Sequence, residues 1–181
     1  MIILLTKTTI WCEYAARLAK IVFGDELIWI SGNVGDPLPD IPDGDIISFL
    51  CPWVLPASVL EGRQAINFHP GSSNYPGAGY NFALFEDSKE YGVTCHHMLP
   101  VCDSGDIIEE VLFPIYEGDT IENLQFRSMV HMLALFDRII ANYDNLPVSG
   151  VKWKRPQFTK KQLHQLNKDY PNTRCTRYPD A

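Results

Sequence analysis

Short apolar runs alternate with segments of helical period along this chain, and that alternation constrains its fold more than any other feature. Residues 2–6 form an apolar run of the length of a buried strand. Ile10, Tyr14, Leu18, Ile21 and Val22 then recur at helical spacing, which predicts a helix over residues 10–22 ending near Gly24. Residues 27–30 and 46–50 read as two more buried strands. Between them lie Gly32, Gly35, Gly44, Pro37, Pro39 and Pro42 with four Asp, so this crossover is a loop or a very short turn. A short helix at 56–60, closed by Gly62, leads to a fourth strand at 65–68 that delivers His69 and Pro70 at its end. The pattern continues with a loop over 70–79, a short helix about 81–86 and strands near 93–99 and 107–113. Ile121, Leu124, Met129, Met132, Leu133, Phe136 and Ile140 mark a long amphipathic helix within 120–142, with Asp119 or Thr120 as its cap. Strands alternating with helices predict a single-domain α/β fold, an open, mainly parallel twisted sheet of the Rossmann-like class with flanking helices.

The composition agrees with one ordinary globular domain: of 181 residues, 46% are hydrophobic and 20% charged. The opening apolar run breaks at Thr6 and Lys7, too early for an export signal, and no later stretch approaches a membrane span. The five cysteines follow no paired spacing, which suits free or buried thiols in a reducing compartment. A cytoplasmic protein without membrane contact is expected. Residues 151–181 carry eight Lys or Arg against two Asp, a net +6 in a chain of −7, so residues 1–150 carry −13. We therefore divide the chain into an acidic α/β domain, 1–150, and a basic tail, 151–181. Such a tail is either a solvated surface segment or a grip on a phosphate-rich ligand, in its own subunit or across a homodimer.

In open α/β sheets, ligands sit beyond the carboxyl ends of the strands. Ile66-Asn67-Phe68-His69-Pro70 falls at such an end, followed by Tyr75-Pro76-Gly77, by Gly92-Val93-Thr94-Cys95-His96, and by Asp103-Ser104-Gly105-Asp106-Ile107-Ile108. On an extended strand Asn67 and His69 project from one face. An amide N–H from Asn67 suits a developing oxyanion, and an imidazole beside it suits charge stabilisation and proton transfer. Asp103 suits the support of His69 and the removal of a proton by way of a water. Each element also has a plain structural reading, as a turn or a satisfied core histidine. A metal centre is not expected: Cys95, His96, His97, Cys102 and Asp103 are dense, but adjacent His96 and His97 face opposite sides of a strand, and no ligand spacing recurs. His97 is expected to pack on the face away from His96.

The Asn-x-His-Pro element, the Gly-x-Thr-x-His strand and the Asp-x-Gly-x-Ile turn, in this order and at these separations, resemble the folate-dependent formyltransferase family over about residues 45–115. The resemblance implies transfer of a formyl group from N10-formyltetrahydrofolate to an amine, with Asn67, His69 and Asp103 as catalytic positions and no metal or covalent enzyme intermediate. It implies a pterin slot at Trp53, Val54 and Leu55 and at Leu99, Pro100, Val101 and Cys102. It assigns Tyr75, Gly77, Tyr80 and His96 to the acceptor side.

Departures from the family narrow the acceptor. The chain has no room for the tRNA-handling domain of the methionyl-tRNA enzyme, so no nucleic-acid partner is expected. Residues 6–11 lack the glycines of a phosphate loop, which speaks against the ribonucleotide transformylase. By elimination the expected acceptor is a nucleotide-linked amino sugar. Two alternatives stand beside this expectation: a formyltetrahydrofolate hydrolase, and a non-catalytic folate or nucleotide binder.

Overall fold

A computed structural model describes residues 1–171, 173 and 175. Six strands form one sheet in the order β2-β1-β3-β4-β5-β6. They are β1 (Ile2–Lys7), β2 (Leu27–Gly32), β3 (Asp45–Phe49), β4 (Ala65–His69), β5 (Glu90–His97) and β6 (Ile107–Pro114). The first four are parallel, whereas β5 runs antiparallel to β4 and β6 antiparallel to β5. The helices are α1 (Ile10–Phe23), α2 (Ala57–Leu60), α3 (Gly79–Phe85), α4 (Ile121–Ile140) and α5 (Lys160–Asp169). The fold is the expected α/β class, a mostly parallel sheet with flanking helices.

Strand alternation divides the apolar residues between two faces. Ile2, Leu4, Ile47, Phe49, Ile66, Phe68, Val93 and Cys95 enter one large core with α1, α3 and α4. Ile3, Leu5, Ile46 and Ala65 enter a second, smaller cluster, to which only α2 contributes helical residues among those described. The Gly- and Pro-rich crossover before β3 forms no helix, so no long helix among the described residues shields this second face.

Helix α4 starts at Thr120, whose hydroxyl accepts from the Asn123 N–H while Asn123 returns the bond, a reciprocal cap. Helix α1 ends at Gly24, where φ is +56°, as expected for a residue without Cβ. Three sequence expectations need correction. The buried side of α1 is Cys12, Ala15, Ala16 and Ala19, while Ile10, Tyr14, Val22 and especially Ile21, 79% exposed, face outward. Small residues let α1 lie close on the sheet and α4, and close approach outweighs side-chain size. Strand β2 is an edge strand and only partly buried. His97 is exposed, not packed, because it lies at the end of β5 beyond an irregularity in the ladder at Cys95/His96.

The tail also departs from a plain solvated segment. Residues 151–158 run extended across the loop over 70–79, and Thr159 caps α5 in a second reciprocal box with Gln162. Phe158 stacks on Phe82, ring centroids 4.0 Å apart, and bridges Gly77.

Candidate active site

The alternation that sends Ile47, Phe49, Ile66 and Phe68 into the main core sends Ser48, Asn67 and His69 to the opposite, sparsely covered face. On β5 the same parity brings His96 beside Asn67. A cavity of about 320 Å³ opens there, and its polar lining is Lys7, Ser48, Asn67, His69, His96 and Asp103. Its outer wall is apolar, formed by Leu50 to Leu55 and by Met98, Leu99, Val101 and Cys102.

A chain of hydrogen bonds fixes the polar end. His96 Nδ1 lies 2.8 Å from the His97 carbonyl, which can only accept, so Nδ1 carries a proton. In the neutral ring Nε2 is then an acceptor, and Asn67 Nδ2 donates to it at 3.1 Å. The other end of the amide, Oδ1, accepts from Ser48 Oγ at 2.6 Å. The Asn67 amide is thus oriented with its nitrogen toward His96, and its second N–H is left for a ligand.

Asp103 faces both histidines, with Oδ1 3.3 Å from His69 Nδ1 and 3.5 Å from His96 Nε2. Its Oδ2 accepts the Gly77 N–H at 2.9 Å. Burial alone would raise this carboxyl, but the His69 and His96 rings and the Gly77 N–H outweigh it and hold it at about 2. Burial pushes the His69 imidazole below its ordinary value, against the pull of Asp103 and with the push of His96. His69 is only 8% exposed, and its Nε2 is buried against Gly71 and the Tyr75 carbonyl without a well-formed hydrogen bond.

The short motifs have local physical causes. Asp103 sits at φ +48°, a left-handed conformation that Asp tolerates better than most residues. Any side chain at Gly105 would collide with the His97 carbonyl, so the turn closes on β5 only with glycine there. A Cβ at Gly71 would strike the His69 ring. The loop after His69 is anchored to β5 and β6: Tyr91 Oη donates to the Pro70 carbonyl, Thr94 Oγ1 to the Gly71 carbonyl, and the Ser73 N–H to Glu110.

The structure brings Asn67, His69, Asp103 and His96 together. Trp53, Val54, Leu55, Leu99, Val101 and Cys102 line the cavity, and Pro100 is not among the lining residues. Tyr75 and Tyr80 do not line it. Tyr75 is buried in the main core, donating to Glu86 at 2.9 Å, and Tyr80 stacks on Tyr91. Gly77 serves Asp103 through its N–H. Sequence reasoning missed Ser48, whose signal was a lone hydroxyl in an otherwise apolar strand. Trp153, an aromatic residue of the basic tail that the sequence offered either for stacking a ligand's base or for docking the tail, stands edge-on to His96 at 5.2 Å.

No protein-family model matches the chain. A sugar N-formyltransferase from Shewanella sp FDAARGOS_354 superposes with a TM-score of 0.75 at 19% identity, covering 97% of this chain and 85% of that one. The formyltransferase PseJ from Anoxybacillus kamchatkensis, in complex with UDP-4,6-dideoxy-4-formamido-L-AltNAc and tetrahydrofolate, superposes with 0.73 at 21% identity, covering 97% and 94%. These likenesses establish the fold as that of the formyltransferases. In sequence, the chain is 34% identical over 113 residues to methionyl-tRNA formyltransferase of Latilactobacillus sakei, 59% of this chain and 35% of that protein. It is 28% identical over 120 residues to dTDP-4-amino-4,6-dideoxyglucose formyltransferase of Mycobacterium tuberculosis, 65% of this chain and 43% of that protein. The chain therefore spans less than half the length of these curated relatives. Its homologues and structure neighbours are sugar N-formyltransferases and methionyl-tRNA formyltransferase, that is, the folate-dependent formyltransferase family.

Proposed function

We propose that this chain moves a formyl group from N10-formyltetrahydrofolate to the amino group of a nucleotide-linked amino sugar. The observation that carries this reading is the convergence of Asn67, His69, His96 and Asp103 in one cavity whose other lining residues are, apart from Lys7 and Ser48, apolar. An apolar slot with a few polar groups at its end suits a flat heterocycle carrying a reactive group. Among the relatives, one is named for a dTDP-amino sugar, and a structure neighbour holds tetrahydrofolate and a UDP-formamido sugar.

The amine nitrogen bonds to the formyl carbon, and the carbonyl oxygen takes the negative charge. The second N–H of Asn67, preorganised by Ser48 and His96, donates to that oxygen. His69 rests neutral. As charge develops it takes the proton that the amine sheds, and it returns this proton to N10 as the C–N10 bond breaks. Asp103 stays ionised throughout and offsets the transient imidazolium. No step requires a covalent bond to the chain.

The test is an assay with N10-formyltetrahydrofolate and a panel of dTDP- and UDP-linked amino sugars, read by mass spectrometry of the sugar. A formamido product is the expected result. Formate in place of a formamide, with every amine tried, would favour the hydrolase, and no consumption of the carrier would leave a binder.

A further inference from the structure

The tail forms a strap over the candidate site, and several of its contacts fall on segments that hold the chemistry, while Arg155 pairs with Glu86 and Phe158 stacks on Phe82 beyond it. Trp153 Nε1 donates to the Gly105 carbonyl at 2.7 Å, two residues beyond Asp103. Lys154 N–H donates to the Ser73 carbonyl at 3.0 Å, and Phe158 N–H to the Pro76 carbonyl at 2.9 Å, both within the loop whose Gly77 serves Asp103. Phe158 lies against the main core, so the strap is anchored beyond the site as well. Its one ring over the histidines is Trp153, edge-on to His96 at 5.2 Å and to His69 at 6.3 Å. Trp153 is not among the residues lining the cavity, so it backs the histidines and leaves the slot open.

We propose that Trp153 is a positioning residue of this site: its indole shields His69 and His96 from water and pins the turn that carries Asp103, so that the formyl group passes to an amine and not to water. The proposal rests on the formyl-transfer reading. In the competing step a water oxygen bonds to the formyl carbon, the C–N10 bond breaks, N10 takes a proton from that water, and formic acid leaves and ionises. Keeping bulk water from the histidine that shuttles the proton suppresses this step. The groups facing His69 are the Asp103 carboxylate on the turn, the His96 ring on β5 and the Tyr75 carbonyl on the loop. None of these is lost when Trp153 is replaced.

The experiment compares the full chain with Trp153→Ala in two measurements. The first, without folate, follows the His69 imidazole by NMR across pH, the resonance being assigned by its loss in His69→Ala. Relief of burial is expected to raise its midpoint by about half a unit or more. The second measures formate released from N10-formyltetrahydrofolate with no amine present, expected to rise about tenfold. If either quantity stays at its wild-type value, the proposal is overturned. Should the Ala variant fail to fold, Trp153→Leu, which keeps an apolar anchor but uncovers the rings, is read in the same way. A wild-type protein that does not act on the carrier at all removes the formyl-transfer reading, while the folate-free titration still reports whether Trp153 shields His69.

Discussion

Phe68 and its neighbours Asn67 and His69 share one strand, yet they belong to two different kinds of structure. Phe68 is 1% exposed in the main core, packed on Phe136 at 4.9 Å and on Phe49 at 6.2 Å. Asn67 and His69 point to the other face, where among the described residues only α2 of the helices packs and a cavity opens. One face stores stability in apolar contact, and the other is free to hold polar groups because little apolar area is needed there. A strand period of two is enough to separate the tasks, so a substitution on one face leaves the other's work nearly intact.

That separation is open to attack residue by residue. The largest expected effect is on the core side: Phe68→Ala removes a large ring from a packed cluster and should cost about 3–5 kcal/mol, read by denaturant unfolding. Next come Asn67→Ala, His69→Ala and Asp103→Ala. Each should lower turnover by roughly 100-fold or more while shifting the melting temperature little. A His69→Ala protein with full activity would remove the assignment. A smaller effect is expected along the apolar wall, where Val54 and Val101 are 68% and 60% exposed. Val101→Asp should weaken reduced-folate binding by about tenfold, since it sets a charge against a heterocycle, with stability unchanged. An effect on stability equal to that on binding would mean that this wall is core and not slot.

The smallest effect concerns pH. Because the folded-state pKa of His69 lies below its ordinary 6.5, the unfolded chain binds more protons as pH drops below that value. The stability that His69 contributes is therefore complete above 6.5 and is lost as pH falls toward and through its folded value. Asp103, held at about 2 against an ordinary 3.8, adds a loss only between about pH 4 and 2. Melting temperatures should fall between pH 7 and 5, and the His69→Ala protein should show a shallower fall over that window. An equal slope in the two proteins would assign the loss to other groups.

Much of this was legible in the sequence, and for physical reasons. Strands β1, β3 and β4 are nearly continuous apolar runs because parallel strands are buried on both faces. The Asn-x-His and Asp-x-Gly elements were legible because their spacing is tied to backbone geometry: two residues per strand period in one case, a glycine forced by the His97 carbonyl in the other. The buried side of α1 was not legible. Its alanines carry little hydrophobic signal, and the large residues that define the apparent stripe turn outward. Tyr75, within the site loop, turns into the core, and no pattern in the sequence marks that turn. The strap was hidden for another reason. A segment with Lys152, Lys154 and Arg155 reads as solvated, while its hold on the site comes largely from backbone groups and one indole nitrogen.

The central claim is that the polar face acts on a formyl group carried by a folate in the apolar slot. It is tested most directly by measuring 5-formyltetrahydrofolate binding and N10-formyltetrahydrofolate turnover side by side in wild type and Asn67→Ala. Reduced-folate binding within a few-fold of wild type and turnover lower by roughly 100-fold are expected. A wild-type chain that binds no reduced folate, or an Asn67→Ala protein with wild-type turnover, would contradict it.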